Sequence, residues 1–418
     1  MKLLIPILAS LLVLWLLWLV YRTEAHKRLF VSALLAKVVG ALAVRWLYFS
    51  HYGSGDTIGY WMDARTIADR WLINPIETLG FYWNEESIGS EWVQNLMYHT
   101  DRSIFFTKFA SLIALISSGN YWLMAILLAT LSFAGAWYLF KRVMDYFPQS
   151  LLPASLALLF WPSVVVWSSG VIKESVALTA LFFVTGLLLR ILKGYPVSFG
   201  EWILAALCLW SGWSLKYYWF AVWIPVAATT ILVARITSSK PAYYRYQWLF
   251  WSVTFGLMLL AVTSFHPNFH LSRIVAVIYE NNQEFVRISE HYIRYPDLQP
   301  SAWSMLVNAP MALISSLYRP IPGETYNFLY VLASVENFGL MILTLWMLPF
   351  LRQLKTTHWG QVTLPALVYI ALEAVLLGLS TPNLGTLSRY RIGFMPFFVF
   401  VLLYQNEYLR RRGSGIAA

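Results

Sequence analysis

The chain has 418 residues, of which 59% are hydrophobic and only 12% charged. Soluble domains carry about 25% charged residues, so this composition excludes a soluble globular protein of that length, and with it disordered and collagen-like chains. The net charge of +10 would suggest nucleic acid in a soluble protein, but here the positive-inside rule explains it first; the one cysteine, Cys208, excludes an intrachain disulfide.

A helix needs about 20 apolar residues to cross a bilayer. On that measure the sequence predicts an all-α polytopic membrane protein, a single transmembrane domain over 1–418 with about eleven spans (11–13). They are expected near 3–21, 29–49, 120–140, 150–169, 175–193, 200–218, 219–236, 247–264, 327–351, 360–380 and 391–407. The first is too long and aromatic for a signal-peptide core. The stretches 104–118 and 302–317 are apolar but short, and read either as interfacial or re-entrant helices or as further spans. Two long connections, 50–119 and 265–326, carry mixed charge and aromatics, as functional loops do.

Basic residues fix the expected orientation. Arg22, Lys27 and Arg28; Lys141 and Arg142; Arg190 and Lys193; Arg235, Lys240 and Arg245; Arg352 and Lys355; and Arg410, Arg411 and Arg412 all fall on one side of an eleven-span chain. That side is the cytoplasm. The N-terminus is then outside, the C-terminus inside, and both long loops extracytoplasmic.

Unusual polar residues gather on the outer side. Gly53-Ser54-Gly55-Asp56 opens the first loop, followed by Tyr60, Trp61 and Asp63. Glycines let the backbone turn at the membrane edge. Asp56 is placed either to cap the next helix or to act as a base on a hydroxyl, and the spacing leaves both open. Trp161-Pro162-Ser163 and Trp167-Ser168-Ser169-Gly170 lead to Lys173 and Glu174 in the first turn of a span. A cation there opposes the helix dipole by about 0.3–1 kcal/mol, which an anion, an ion pair with Glu174 or lipid headgroups would relieve. The turn before the final span reads Asn383-Leu384-Gly385-Thr386-Leu387-Ser388-Arg389-Tyr390-Arg391, two arginines with forks suited to phosphate or headgroups.

The second loop ends with Tyr318-Arg319-Pro320 and Glu324, and Glu336 follows about two turns into a span. A carboxylate there faces protein and is expected to pair with Arg319, Arg389 or Arg391. Lys37, Arg45 and Glu373 also fall within spans; Lys37 and Arg45 are expected to snorkel and are given no role. His266, His270 and His291 have no metal spacing, and Arg287, Glu290, His291 and Arg294 are expected on one solvated helix face.

Taken together, the Gly-Asp with a following Tyr in the first outer loop, the Pro162-Ser163…Trp167-Ser168…Lys173-Glu174 block, Arg319-Pro320 with Glu336, and Arg389-Tyr390-Arg391 resemble the GT-C superfamily of polytopic glycosyltransferases. In that family the acidic loop follows the first span; here it follows the second. The resemblance implies a sugar donor on polyprenyl phosphate facing outward. Its phosphate would lie near Lys173, Arg319, Arg389 and Arg391. Asp56 would be the base for an inverting transfer to a hydroxyl of a glycan, lipid or protein, with no cofactor, a divalent metal staying open. Tyr60, Trp61, Tyr217 and Trp219 would stack on sugar faces or serve the interfacial belts. Asp63, Glu174, Lys216, Glu324, Glu336 and Tyr390 would support the site or the substrate. A bacterial inner membrane is the implied location.

Three other classes stay open on the sequence, one of them a non-catalytic scaffold, which would leave the clustered outer cations without purpose. A polysaccharide polymerase or O-antigen ligase would take lipid-pyrophosphate glycans and use His291 with Arg294. A transporter or flippase would show paired halves with broken helices, and no internal symmetry is visible.

Overall fold

In a computed structural model the described residues are 4–83, 90–239, 246–265, 267–325, 327–349 and 361–410. Lys240, Arg245, His266, Arg352, Lys355, Arg411 and Arg412 lie outside them. Among the described residues the chain is helical, with one isolated bridge and no strand. Eight helices are long and apolar enough to cross a membrane, and a pair bent by 64° makes a ninth if its limbs form one span. The protein is an integral membrane protein.

The helices follow the composition closely. α1 (Leu4–Thr23) is apolar on every face and buries no residue, as a lipid-facing helix does. α2 (Lys27–Trp46) continues through a π-helical turn, Leu47–Tyr52, which ends at Gly53 in the left-handed region. Gly55, with φ +119°, is the N-cap of α3 (Asp56–Ile73); only glycine adopts that φ without strain. Next come α4 (Pro75–Trp83), α5 (Glu91–Gln94), α6 (Asp101–Ser117) and α7 (Tyr121–Tyr146). The 104–118 stretch is α6 itself, which buries eight residues, Phe106 and Thr107 among them.

The segment expected to span at 150–169 is broken. α8 (Leu151–Ala154) runs into a π-helical turn, Ser155–Phe160, and then Trp161 is extended at φ −63°, ψ 121°. Pro162 explains the break, since it disfavours the α conformation in the residue before it. The helix restarts as α9 (Pro162–Trp167). α10 (Lys173–Leu192) follows the turn at Gly170, φ +88°. The two spans expected at 200–218 and 219–236 are the stretches of one long helical element, α11 (Phe199–Ser239), interrupted at Lys216 with φ −141° and ψ 62°. At 1.5 Å per residue an unbroken helix of that length would rise about 60 Å, twice a bilayer's apolar core.

The remaining helices are α12 (Gln247–Phe265), α13 (Leu271–Ile288), α14 (Ala302–Tyr318), α15 (Phe328–Met347), α16 (Thr363–Ser380), α17 (Leu384–Tyr390) and α18 (Met395–Tyr404). α13 ends at Ile288, so Arg287, Glu290, His291 and Arg294 do not share a helix face as expected. Arg287 instead pairs with Glu284 one turn back at 3.0 Å.

The chain divides into two compact units: Met1–Leu139 with Val165–Val184 and Gly200–Tyr217, and Phe140–Val164 with Thr185–Phe199 and Tyr218–Ala418. In the first, α3 lies along α6. Ile67, Phe81, Trp92, Val93, Leu96 and Ile104 form a small core under the first long loop. Gly40 lets α2 approach the α9–α10 turn closely: a Cβ there would meet the Val165 carbonyl oxygen at 2.7 Å. Three residues away, Lys37 does not snorkel. Its ammonium is buried and donates to the hydroxyls of Ser132, at 3.0 Å, and Ser168. Carrying the charge inward satisfies it with hydroxyls where lipid offers nothing. Arg45 lies over the Trp122 ring at 4.1 Å.

In the second unit α16 packs on α14, where Gly378 meets Ser316 and Ala312, and the Ser316 hydroxyl donates to the Ala374 carbonyl at 2.6 Å. Small residues let apolar helices approach this way. The second long loop is tied down locally. Ile293 N–H donates to Pro382 O at 2.9 Å, Leu384 N–H to His291 O at 3.3 Å and the Asn383 amide to Ser289 at 2.8 Å.

Candidate functional site

The expected residues divide between the two units, and each unit holds its own polar cluster. In the first unit the cluster is built on the start of α3. Gly55 is the N-cap, so Asp56 is the first helical residue and not the cap. Its carboxylate accepts the Tyr98 hydroxyl at 3.2 Å on Oδ1. A carboxylate in the first turn also suits the helix dipole. Tyr98 packs against Tyr60 with ring centroids 4.6 Å apart and the rings tilted by 34°. The Tyr60 hydroxyl is 3.4 Å from Ser103 Oγ, and Lys173 Nζ donates to the same Oγ at 3.3 Å and lies over the Tyr60 ring at 5.3 Å. An acid, two tyrosines, a serine and an ammonium thus form one connected group.

Burial pushes the Tyr60 hydroxyl far above its ordinary pKa, and the charge of Asp56 adds to the rise. Tyr98 is raised by burial first and then by Asp56. Both phenols therefore remain hydrogen-bond donors at any working pH. Asp63, two turns after Asp56, is buried and accepts the backbone N–H groups of Met97 at 2.8 Å and Tyr98 at 3.2 Å. Burial raises its carboxyl, and these two bonds partly offset the rise.

Glu174 is buried. It reaches Lys216, at the break in α11, with Nζ to Oε1 at 2.7 Å, and both side chains are at most 3% exposed. Tyr217 stacks under Arg102, at 4.6 Å.

The second cluster belongs to the second unit. Arg391 is fully buried. It donates to Asn337 Oδ1 at 2.6 Å and to the Arg319 carbonyl at 3.3 Å, and its guanidinium is 3.9 Å from Glu336. Of the three arginines open to Glu336 in the sequence, Arg391 pairs with it. Glu336 also accepts the Ser163 N–H at 2.8 Å, just after the Pro162 break. Asn337 donates to the Pro320 carbonyl at 2.8 Å. Arg319 itself pairs with Glu324. Arg391 and Asn337 together hold two successive carbonyls of the 319–320 turn.

Arg389 is not in the first turn of the final span, where a cation would be unfavourable. It is in the last turn of α17, where the dipole favours it, over the Tyr390 ring at 5.3 Å. Trp219 donates to the Tyr390 carbonyl at 3.2 Å. His291 meets the Tyr330 ring edge-on, and Arg294 lies over Tyr292. Among the described residues no three His, Cys, Asp or Glu side chains converge as a metal site requires.

Tyr98, Ser103 and Asn337 are members of these clusters that sequence reasoning passed over. Tyr98 and Ser103 lie in ordinary-looking stretches of the first loop, and only α3 packing on α6 brings them to Asp56 and Lys173. No family model matches the chain, and no match was found among curated proteins or solved structures.

Proposed function

We propose that the protein is a GT-C-like membrane glycosyltransferase that moves a sugar from polyprenyl phosphate to a hydroxyl acceptor on the extracytoplasmic side. The observation that carries the reading is the first-unit cluster, in which tyrosines link a carboxylate to an ammonium at the mouth of the first long loop. Inverting transfer needs those two charges. The acceptor oxygen attacks the anomeric carbon while its proton passes to Asp56. The bond from that carbon to the phosphate oxygen breaks, and polyprenyl phosphate leaves with the electron pair. Lys173 stabilises the negative charge that develops on it. Tyr98 is partly exposed toward the sugar, and Tyr60 is buried behind it. Within the second unit, Arg391 holds the turn at 319–320 and Arg319 pairs with Glu324. Membrane lipids carry the donor, and the acceptor is a glycan, lipid or protein hydroxyl.

The eleven-span count has support in the helices. Eight qualify directly. Dividing α11 at Lys216, joining α17 to α18, and taking the broken run of α8 and α9 as one crossing supplies three more. In this reading the N-terminus is outside, the C-terminus is cytoplasmic by the positive-inside rule, and the protein resides in a bacterial inner membrane. In a Cys208→Ala background, Thr66→Cys and Glu284→Cys are expected to react with an impermeant maleimide added outside, and Asp145→Cys is not. Equal labelling of all three from one side would overturn the orientation.

The activity is tested with purified protein in nanodiscs. Undecaprenyl phosphate bearing radiolabelled glucose, galactose or mannose is offered, with a lipid and glycan extract as acceptor. Release of undecaprenyl phosphate from at least one donor is expected, with Lys173→Met weakening donor binding about tenfold or more. No release from any donor, or Lys173→Met turning over as wild type, would count against the reading.

A further inference from the structure

The motif around Asp56 reads Gly55-Asp56-Thr57-Ile58-Gly59-Tyr60-Trp61-Met62-Asp63. Asp56, Gly59, Tyr60 and Asp63 stand at i, i+3, i+4 and i+7, one stripe of a helix. Every one of them engages Tyr98. Asp63 accepts its N–H and that of Met97. Tyr60 packs, tilted, against its ring. Gly59 gives the ring room, because a Cβ there would sit 2.5 Å from a Tyr98 ring carbon. Asp56 accepts its hydroxyl.

From this arrangement we infer that Tyr98 is a positioning residue for Asp56, seated by Gly59 and Asp63, so that the whole motif serves to aim one carboxylate. The inference rests on the proposed function, in which Asp56 takes the acceptor proton.

The physical case has three parts. Asp56 is the first residue of its helix, directly after Gly55. A hydroxyl bond to Oδ1 fixes the plane of the group, and general-base catalysis depends on approach to about 3 Å in one orientation. That hydroxyl holds its place only if the ring and backbone behind it are fixed. Asp63 spends both oxygens on the backbone and the missing side chain at 59 leaves the slot. Tyr98 also stays a donor, because burial and the nearby Asp56 hold its hydroxyl above the ordinary tyrosine range.

The test uses the full chain in nanodiscs and the labelled undecaprenyl-phosphate sugar that wild type uses best. Tyr98→Phe keeps the ring and removes only the hydroxyl. It is expected to lower kcat about tenfold, the scale of one hydrogen bond to a charged group, with donor KM and thermal unfolding unchanged. Gly59→Ala, which displaces the ring, is expected to lose at least as much. In an Asp56→Asn background Tyr98→Phe is expected to change nothing further, since the two act as one unit. Wild-type kcat in Tyr98→Phe beside an inactive Asp56→Asn, or losses that multiply in the double variant, would overturn the positioning role and leave the proposed function standing. Full turnover in Asp56→Asn would instead remove the proposed function.

Discussion

Asp56→Asn is expected to leave the protein folded and able to bind donor while turnover falls by about 10²–10⁴-fold, the usual contribution of a general base. The substitution keeps size and shape. It removes no N-cap, because that position belongs to Gly55. The Asn carbonyl oxygen still accepts from Tyr98, so the local packing survives. What is lost is the ability to take a proton. Thermal unfolding and donor binding, measured beside release of polyprenyl phosphate, separate chemistry from fold. If the Asn variant transfers sugar at a substantial fraction of the wild-type rate, Asp56 has no part in the reaction.

Lys216→Met is expected to destabilise the protein by about 3–5 kcal/mol, because it strips the partner from a buried carboxylate. Glu174 and Lys216 are both almost fully enclosed at 2.7 Å. Glu174→Gln alone leaves the ammonium buried and has a comparable cost. The double variant, Glu174→Gln with Lys216→Met, removes both charges and is expected to recover most of the loss, as replacing a buried pair with neutral groups commonly does. Thermal unfolding of the four proteins in one detergent measures this directly. Single variants as stable as wild type would show that the pair contributes nothing to the fold.

The sequence carried the membrane class and most spans plainly, because twenty apolar residues in a row have few other fates. It also marked Asp56, Lys173 and Glu336 as polar residues in costly places, and each belongs to a polar cluster. The partners were not legible. Lys216 reaches Glu174, 42 residues back in the chain, only because the helix breaks there. Tyr98 reaches Asp56 only because a glycine at 59 admits its ring. Arg389 illustrates the reverse failure. Its charge stood out in the sequence, but whether it sat at the start or end of a helix depended on a bend that apolar residues do not announce. Hydropathy reports how much of a segment must leave water; it says little about where the segment turns or which distant side chain meets it.

Lys37 bears on how the chain enters its membrane. Its ammonium is satisfied by Ser132 and Ser168, which lie 95 and 131 residues further along. Synthesis runs from the N-terminus, so α2 is made long before either hydroxyl exists. A lysine at the middle of a nascent span costs about 2.5–3.5 kcal/mol on insertion, and until residue 168 has emerged the only relief is for the side chain to stretch toward a water-facing edge. α2 is therefore held provisionally by its leucines and valines during assembly. It gains its final position when the turn after α9 arrives and draws the charge inward, so the first half of the protein waits on a loop near its middle to complete its own folding.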